Sequence, residues 1–358
     1  MLTTILAFAF VLGTLVFFHE LGHFLVARAC GVGVDVFSLG FGPRILGWKR
    51  GRTDYRISAV PLGGYVKMVG EDPGDEVNEA DASESYTQKP VGVRIAIAFA
   101  GPFFNLVLAA LIFIVFATTS GKYILTPVIA GVSEGSPAAA SDITEGDRVL
   151  SINGGKVTSW EDVQNLITKS GADPVTLELS RNGETRTVTV VPQEVTELNI
   201  YGEEITRHVV GIRATAEHQP IGLLEGVTEG IKDTAYWCKL TVVILGKIIT
   251  GDISPKTLGG PIKIAELSGD YAEQGPMALS IFIAVLSINL GIINLFPIPV
   301  LDGGHLVFYL IEAVRRKPLA LRTRELAQQV GLVLLMLLMA FVIFNDIVGI
   351  VTNRAAGG

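Results

Sequence analysis

The amino-acid sequence predicts a polytopic α-helical membrane protein with four transmembrane helices, a cytoplasmic membrane-associated β-hairpin or sheet, and an inserted extracytoplasmic domain. Two observations support this fold class. Hydrophobic residues make up 49% of the 358 residues and charged residues only 18%, whereas soluble domains contain about 25% charged residues. In addition, four stretches are apolar for long enough to cross a bilayer, which takes about 20 residues.

The apolar stretches divide the chain into helices and extramembrane segments. The predicted transmembrane helices are residues 1–27, 93–121, 274–304 and 327–352. The segments between them are residues 28–92, 122–196, 197–273 and 305–326. The first helix lacks the basic start of a cleaved signal peptide, so we expect it to stay in the protein as a membrane span.

The distribution of basic residues indicates the orientation, because lysine and arginine concentrate in cytoplasmic loops. They cluster after the first helix and before the last one, at Arg44, Lys49, Arg50, Arg52, Arg56, Arg315, Arg316, Lys317, Arg322 and Arg324. Both loops should be cytoplasmic, with residues 120–273 and the two termini outside. Cys30 and Cys238 then lie on opposite sides and should not pair. The net charge of −7 argues against a nucleic-acid partner.

Strand-like runs occur in the first cytoplasmic segment. Residues 55–60 and 65–69 flank a turn-forming sequence at 61–64, Pro-Leu-Gly-Gly. We therefore expect a β-hairpin or small sheet close under the first helix. Residues 71–84 are acidic and rich in small side chains, which is typical of a mobile loop.

The first external segment combines strand-like runs with an amphipathic helix at 160–170. Its run at 146–154, Gly-Asp-Arg-Val-Leu-Ser-Ile-Asn-Gly, resembles a signature of PDZ domains. The resemblance implies a PDZ-like domain at 122–196 with a peptide ligand. The alternative is a small α/β domain without a ligand.

The second external segment, residues 197–273, is harder to interpret. Residues 209–214 are consistent with a strand. Residues 223–249 have helical periodicity with few charges, which predicts an amphipathic helix on the membrane surface. A fifth span is the alternative, and it would move the C-terminus to the other side of the membrane.

A histidine pair marks the cytoplasmic end of the first helix. His19 and His23 belong to the sequence His-Glu-Leu-Gly-His, and their spacing of four places both on one helix face. Two imidazoles at this spacing can bind one Zn²⁺, and Glu20 can accept a proton from a water that the metal activates. Ionisable residues in a transmembrane segment indicate a functional site by default.

A second polar cluster interrupts the end of the third helix. Prolines and glycines break the run at 294–305, Asn-Leu-Phe-Pro-Ile-Pro-Val-Leu-Asp-Gly-Gly-His. Broken backbone at membrane depth must be buried in protein or line a cavity. The first and third helices run in the same direction, so both clusters should lie near the cytoplasmic side. Asp302 can then join His19 and His23 in a two-histidine, one-carboxylate zinc site with a position open for water.

Together these motifs resemble the site-2 protease family of intramembrane zinc metalloproteases, in particular its bacterial RseP/RasP-type branch with a PDZ insertion. The resemblance rests on the motifs at 19–23, 61–68 (Pro-Leu-Gly-Gly-Tyr-Val-Lys-Met), 101–105 (Gly-Pro-Phe-Phe-Asn), 259–262 (Gly-Gly-Pro-Ile) and 294–303. It covers nearly the whole chain. This chain has one PDZ-like segment where some relatives have two.

The resemblance also implies roles for individual residues. It implies one Zn²⁺ per chain with the ligands His19, His23 and Asp302, and Glu20 as the catalytic residue. It implies that Asn294 helps to hold an unwound substrate backbone, and we expect the hairpin at Gly63, Gly64 and Tyr65 to bind the same backbone as an added strand. The physical reason is that an unwound backbone exposes polar groups that need partners in a dry site.

Other polar residues receive simpler predictions. Asn294 has an alternative role in a hydrogen bond that only packs helices. A packing role is expected for Asn105 and Asn289. His305 is expected to lie around the metal site without binding the metal, or in a loop.

The function implied by the resemblance is hydrolysis of peptide bonds within transmembrane segments of single-span proteins, such as anti-sigma factors or signal-peptide remnants. The expected partners are these substrates, the lipid bilayer and a peptide bound by the PDZ-like domain, which could instead exclude bulky substrates by size. The expected location is the bacterial inner (plasma) membrane. One alternative is a non-catalytic PDZ scaffold or chaperone, which has no need of Glu20. Another is a cation transporter, which would more often show internal repeats.

Overall fold

The computed structural model describes residues 2–71, 78–198 and 204–356. The helices are α1 (Leu2–Ala29), α2 (Val91–Ser120), α3 (Trp160–Ser170), α4 (Leu223–Thr250), α5 (Pro261–Glu273), α6 (Pro276–Asn294), α7 (Asp302–Arg315) and α8 (Leu321–Ala356). The strands are β1 (Val34–Arg50), β2 (Thr53–Met68), β3 (Lys122–Val132), β4 (Arg148–Ile152), β5 (Gly155–Lys156), β6 (Val175–Arg181), β7 (Glu184–Val190), β8 (Gln193–Leu198), β9 (Glu204–Val209) and β10 (Ile212–Gln219).

The described residues form two compact units. The first, called the membrane unit here, comprises the residues up to Phe116, Val227–Ile248 and those from Ser254 onward. The second, called the inserted unit, comprises Ala117–Gly226 and Ile249–Ile253.

Four helices have the length and composition of transmembrane segments, namely α1, α2, α6 and α8 as far as Thr352. This confirms the four apolar helices of the predicted fold class. Among the described residues α4 does not meet the same criteria, so a fifth span is not supported. The last helix begins at Leu321, earlier than the predicted start at 327.

Close backbone contact characterises the packing of α1 against α2. In lipid, van der Waals packing at small residues holds helices together, because lipid tails are as apolar as the side chains. Gly22 shows this directly, since a Cβ at this position would lie 2.3 Å from the carbonyl oxygen of Ala100. A larger residue would push the histidine motif of α1 away from α2. The apolar core around α1, α2 and α6 contains Val11, Leu15, Leu108, Phe282 and Ile283.

The third predicted helix, residues 274–304, ends earlier than its predicted bound, at the break that the sequence at 294–305 indicates. α6 stops at Asn294, and residues 295–301 form a non-helical connection to α7, which begins at Asp302. The two prolines of the connection explain the break, because proline has no N–H and its ring clashes with the preceding turn.

The segment predicted as a loop at 305–326 is also partly helical, because α7 occupies much of it. This helix is tied to α2 by a buried ion pair. Both terminal nitrogens of Arg94 donate to the carboxylate of Glu312, at 2.6 and 3.1 Å. Such a two-pronged pair fixes orientation as well as distance.

The sheet of the membrane unit differs from the predicted hairpin. β2 continues through residues 61–64, where a turn was expected, and the chain reverses instead at Gly51 and Arg52. Both strands bend, so that four segments lie side by side in the order 64–68, 34–39, 54–58 and 44–50. The two runs predicted to pair with each other therefore lie on either side of β1. Within the described residues, the segment 64–68 is an edge of this sheet.

Part of the predicted mobile loop at 71–84 is ordered. Residues 72–77 lie outside the described residues, but Glu79–Glu84 form a 3-10 helix. Arg52 holds this helix, because its guanidinium donates to both carboxylate oxygens of Asp81, at 2.7 and 3.1 Å. These hydrogen bonds hold the pKa of Asp81 below its usual range.

The inserted unit contains a sheet in the order β10-β3-β4-β6-β7, with β5 paired to β4. Ile152, Val163 and Leu177 lie in its apolar core. The predicted domain end at 196 needs correction, because β10 pairs with β3 along its length and belongs to the same sheet. The predicted strand at 209–214 instead spans the end of β9 and the start of β10.

Candidate metal centre

The three predicted metal ligands come together in the membrane unit. Nε2 of His19 lies 3.1 Å from Oδ2 of Asp302, and Nε2 of His23 lies 3.4 Å from Oδ1 of Asp302. The two Nε2 atoms are 3.4 Å apart. α1 supplies both histidines from successive turns of one face, and α7 supplies Asp302 as its first residue.

This donor triangle has the size of a zinc site. Atoms that bind Zn²⁺ tetrahedrally at about 2.0–2.1 Å lie about 3.3 Å from one another, close to the three separations observed. Oδ2 of Asp302 is also buried without a hydrogen-bond partner in the described part of the chain. The unused lone pairs suit a metal ligand.

Each imidazole is fixed by a contact at its other ring nitrogen. Nδ1 of His23 lies 2.8 Å from the carbonyl oxygen of Ile97, which can only accept, so Nδ1 carries the proton and Nε2 is free to bind metal. Nδ1 of His19 lies 3.2 Å from the amide of Asn105. At Gly101, a Cβ would lie 2.3 Å from Nε2 of His23 and 2.9 Å from Cε1 of His19. The absence of a side chain there leaves room for both rings.

Close packing also orients Asp302. A Cβ on Gly303 would lie 2.3 Å from the carbonyl oxygen of Leu295, and one on Gly304 would lie 2.3 Å from that of Ile298. The first turn of α7 therefore folds back tightly onto the connection that precedes it. Larger residues at these two positions would displace the carboxylate from the histidines.

A cavity of about 350 Å³ opens onto the donor triangle. Glu20, Gly64 and Tyr65 line it together with the three donors. Glu20 is buried, and the strand edge lies directly against it. A Cβ on Gly64 would lie 3.0 Å from Cγ of Glu20 and 2.8 Å from Cγ1 of Val16. A carboxylate, a donor triangle and an edge strand thus share one cavity.

Two of the predicted site residues lie apart from this cavity. Within the described residues, neither Gly63 nor Asn294 lines it. Gly63 has a φ of +90° and its Cα faces the ring of Phe41, which explains the need for glycine. Asn294 ends α6, and its side chain makes no hydrogen bond in the described part of the chain. His305 lines the cavity but is not part of the donor triangle.

The two asparagines predicted to pack helices behave differently. Asn289 accepts a hydrogen bond from Oγ1 of Thr241 at 2.8 Å, between α6 and α4, as expected for packing. Asn105 is completely buried and also links two helices, but its amide contacts His19, one of the predicted metal ligands. Its position four residues after Gly101, on the same face of α2, is the sequence signal that indicates a shared site.

Two polar contacts beside the cavity have no signal in the sequence. The hydroxyl groups of Tyr86 and Tyr309 are 2.8 Å apart, and Arg94 pairs with Glu312 nearby. The partners are 223 and 218 residues apart in the chain. No local pattern relates residues at such separations.

The membrane unit combines four apolar helices with a two-histidine, one-carboxylate donor triangle and a buried glutamate, an arrangement typical of membrane metalloproteases. A family model described as peptidase family M50 matches residues 7–338 of the chain. The chain therefore belongs to peptidase family M50, the site-2 proteases, and is a zinc metalloprotease.

Relatives support the same assignment. A protein of Brucella suis whose name describes it as a zinc metalloprotease is 39% identical over 96% of this chain and 95% of its own length. Zinc metalloprotease RasP of Geobacillus kaustophilus is 33% identical over 97% of this chain and 98% of its own length. Among solved structures, the PDZ domain of an SdrC-like protein from Listeria monocytogenes matches 25% of this chain and 86% of that domain, at 17% identity and a TM-score of 0.21.

Proposed function

We propose that the protein hydrolyses peptide bonds within transmembrane segments of single-span membrane proteins, with His19, His23 and Asp302 as the ligands of one Zn²⁺. The observation that supports this most directly is the donor triangle itself, with sides of 3.1–3.4 Å. It lies at the end of one apolar helix and just beyond the end of another. A metal site in this position acts on substrates that enter from the bilayer.

Glu20 is the proposed general base and acid. Zinc, when bound, supplies Lewis-acid polarisation of the scissile carbonyl and makes water acidic enough to react near neutral pH. Glu20 removes a proton from the attacking water as its oxygen bonds to the carbonyl carbon. It then returns that proton to the amide nitrogen as the C–N bond breaks. Burial of Glu20 next to the triangle is what this role requires.

The edge segment 64–68 is the proposed docking site of the substrate backbone. A helical substrate must unwind before its peptide bonds are accessible, and its N–H and C=O groups then need partners. Pairing with an exposed strand edge supplies them. Gly64 and Tyr65 line the cavity, so a strand added here would pass Glu20. We propose that the side-chain amide of Asn294 forms hydrogen bonds with the same substrate backbone at a second position. The proposed role of Gly63 is to shape the bend that precedes the edge segment.

The proposed setting is the inner membrane of a bacterium. Basic residues in the loops around β1 and α7 favour a cytoplasmic location for the sheet and the metal centre. The inserted unit would then lie outside, where a PDZ-like fold binds a peptide or excludes substrates with bulky domains. If exclusion is its role, deletion of residues 122–219 should widen the range of cleaved substrates.

The ligand set is tested by counting zinc in the purified full-length protein. We expect about one zinc per chain in the wild type and its loss in His23→Ala and Asp302→Ala. His305→Ala is the matched control, because His305 lines the cavity outside the triangle, and it should keep its zinc. Zinc retained by Asp302→Ala would contradict the third ligand. A folded wild type that takes up no zinc on reconstitution would favour the scaffold function instead.

The substrate class is tested separately with Glu20→Gln, which should keep zinc and hold uncleaved substrates. Proteins that copurify with this variant are identified by mass spectrometry, with the wild type as control. Enrichment of single-span membrane proteins is the expected result. Enrichment of soluble proteins alone would contradict the proposed substrate class.

A further inference from the structure

The side chain of Asn105 is buried against a metal-binding residue with half of its hydrogen-bonding capacity unused. Nδ2 of Asn105 faces Nδ1 of His19 at 3.2 Å. Oδ1 of Asn105 is buried and has no hydrogen-bond partner in the described part of the chain. A buried amide oxygen without a donor is unfavourable by about 1–3 kcal/mol, so this arrangement calls for an explanation.

The chemistry of His19 decides which atom of the amide should face it. Zinc binds an unprotonated nitrogen, so a histidine that binds through Nε2 carries its proton on Nδ1. Nδ1 of His19 is then a donor, and a facing amide Nδ2 would place one donor against another. Rotation of the amide by 180° exchanges Oδ1 and Nδ2, which are assigned from their hydrogen-bond partners. Oδ1 then accepts the Nδ1–H of His19.

We propose that Asn105 is a positioning residue of the zinc site, whose amide oxygen accepts a hydrogen bond from Nδ1–H of His19 and so fixes the tautomer and direction of that ligand. The proposal rests on His19 being a zinc ligand, as proposed above. In this arrangement each histidine donates its Nδ1–H to an oxygen atom of α2. The carbonyl oxygen of Ile97 accepts from His23 at 2.8 Å, and Asn105 does the same for His19.

The surroundings of Asn105 keep its side chain in place. Oγ of Ser287, on α6, donates a hydrogen bond to the backbone carbonyl of Asn105 at 2.8 Å, and Ser287 is completely buried. Gly291 brings α6 close, because a Cβ there would lie 3.3 Å from Cβ of Asn105. α6 therefore supports α2 at the point where α2 contacts the ligand on α1. α6 therefore supports the metal centre indirectly, through α2, and the sequence of α6 gives no signal of this contact.

Two substitutions of Asn105 and one control distinguish the effect of the acceptor oxygen from the effect of side-chain shape. Asn105→Leu keeps the approximate size and removes the acceptor, and we expect it to weaken zinc binding about 10–100-fold. Asn105→Asp keeps an acceptor oxygen, and we expect zinc binding at or above that of the wild type, because a carboxylate raises the basicity of the ligand. Asn289→Leu is the matched control. It removes a half-buried amide that forms a hydrogen bond between α6 and α4, away from the ligands, and should leave zinc affinity unchanged.

The measurement is zinc affinity of the full-length protein in detergent by competition with a chromogenic chelator. Thermal unfolding of the zinc-free proteins shows that each variant folds. If Asn105→Leu does not fold, Asn105→Ala removes the same acceptor without adding branches. The proposal is overturned if loss of the acceptor leaves zinc affinity unchanged, or if the Leu and Asp variants weaken it equally. Either result leaves the ligand set intact, because that depends on zinc loss in His23→Ala and Asp302→Ala.

Discussion

Two aspartates, one in each unit, show how differently a protein uses the same carboxylate. In the inserted unit, Asp147 is completely buried and both of its oxygens are satisfied. Arg181 donates to them at 2.7 and 2.9 Å, and the N–H of Thr144 donates at 3.0 Å. In the membrane unit, Asp302 faces two imidazoles, and its Oδ2 has no hydrogen-bond partner among the described residues. The first carboxylate stabilises a fold, and the second has an oxygen available for the proposed role as a metal ligand.

A third aspartate shows that the difference is not caused by the membrane. Asp346 is a buried residue of α8, yet it accepts hydrogen bonds from the backbone N–H groups of Gly260, Ile262 and Lys263 at 2.9–3.1 Å. It thereby satisfies the free N–H groups at the start of α5. The groups that face each carboxylate, rather than its location in the membrane unit, therefore distinguish Asp302 from Asp346.

The sharpest test of this comparison is Asp302→Asn, for which we expect the largest effect. A neutral amide is a poor zinc ligand, so zinc affinity should fall at least about 100-fold, the upper end of what supporting residues contribute. Proteolysis of a transmembrane substrate should fall in parallel. Zinc is measured by mass spectrometry of the purified protein, and cleavage is measured by gel assay in reconstituted membranes.

Asp346→Asn is the matched control for Asp302→Asn. It makes the same chemical change in a buried aspartate that is satisfied by N–H groups. We expect it to keep one zinc per chain, even if α8 packs less firmly. Equal loss of zinc in both variants would mean that the loss follows from disturbed helix packing, and the contrast between the two carboxylates would not hold.

Glu20→Gln should produce the next largest effect, and only on catalysis. Glutamine cannot take a proton from water, so the rate of cleavage should fall about 10²–10⁴-fold, the range typical of a lost general base. Zinc content should remain that of the wild type, because Glu20 is not part of the donor triangle. The measurement is single-turnover cleavage beside a zinc count. Loss of zinc in this variant would assign Glu20 a ligand role instead.

The local part of the metal centre could be predicted from sequence, because it depends on spacing along one helix. Two histidines four residues apart share a face of α1, and the structure places their Nε2 atoms 3.4 Å apart. The prediction of Asp302 depends on the prolines and glycines that interrupt the apolar run at 294–305. In contrast, the contact of Asn105 with His19 depends on how α1 and α2 approach, which Gly22 and Gly101 control. Sequence patterns do not encode such a distance.

The sheet beside the site shows the same limit. The residues at 61–64 are strong turn formers, and the structure does bend there. However, a local bend does not determine which strands pair, and the segments before and after it both pair with β1. The end of the inserted unit was misplaced for a similar reason, because β10 joins β3 from 80 or more residues away in the chain. Strand pairing over long separations depends on tertiary packing that single-sequence patterns do not reveal.

Substitution of Asp147, whose carboxylate oxygens all have hydrogen-bond partners, should have a smaller effect that is confined to stability. Asp147→Asn should destabilise the inserted unit by about 1–2 kcal/mol, since it replaces charge-assisted hydrogen bonds with weaker ones. Zinc content should not change. Urea unfolding is followed by fluorescence of Trp160, which lies in the core of this unit, after Trp48 and Trp237 are replaced by phenylalanine. Asp142→Asn, which alters an exposed partner of the same Arg181, is the control and should have little effect.

The smallest predicted effect is a pH dependence of that stability difference. Hydrogen bonds from the Arg181 guanidinium hold the pKa of Asp147 below its usual range. A lowered pKa contributes stability that is fully present above the unfolded-state value of about 4, and is lost as the pH falls through the folded-state value. The advantage of wild type over Asp147→Asn should therefore be constant near neutral pH and shrink as the pH falls below about 4. Asp162, whose pKa is lowered to about 2 by backbone and side-chain hydrogen bonds from Thr158 and Ser159, titrates in both proteins and cancels from the difference. A stability gap that stays constant with pH would show that Asp147 does not carry its charge as an ion-paired group, and the contrast with Asp302 would then depend on geometry alone.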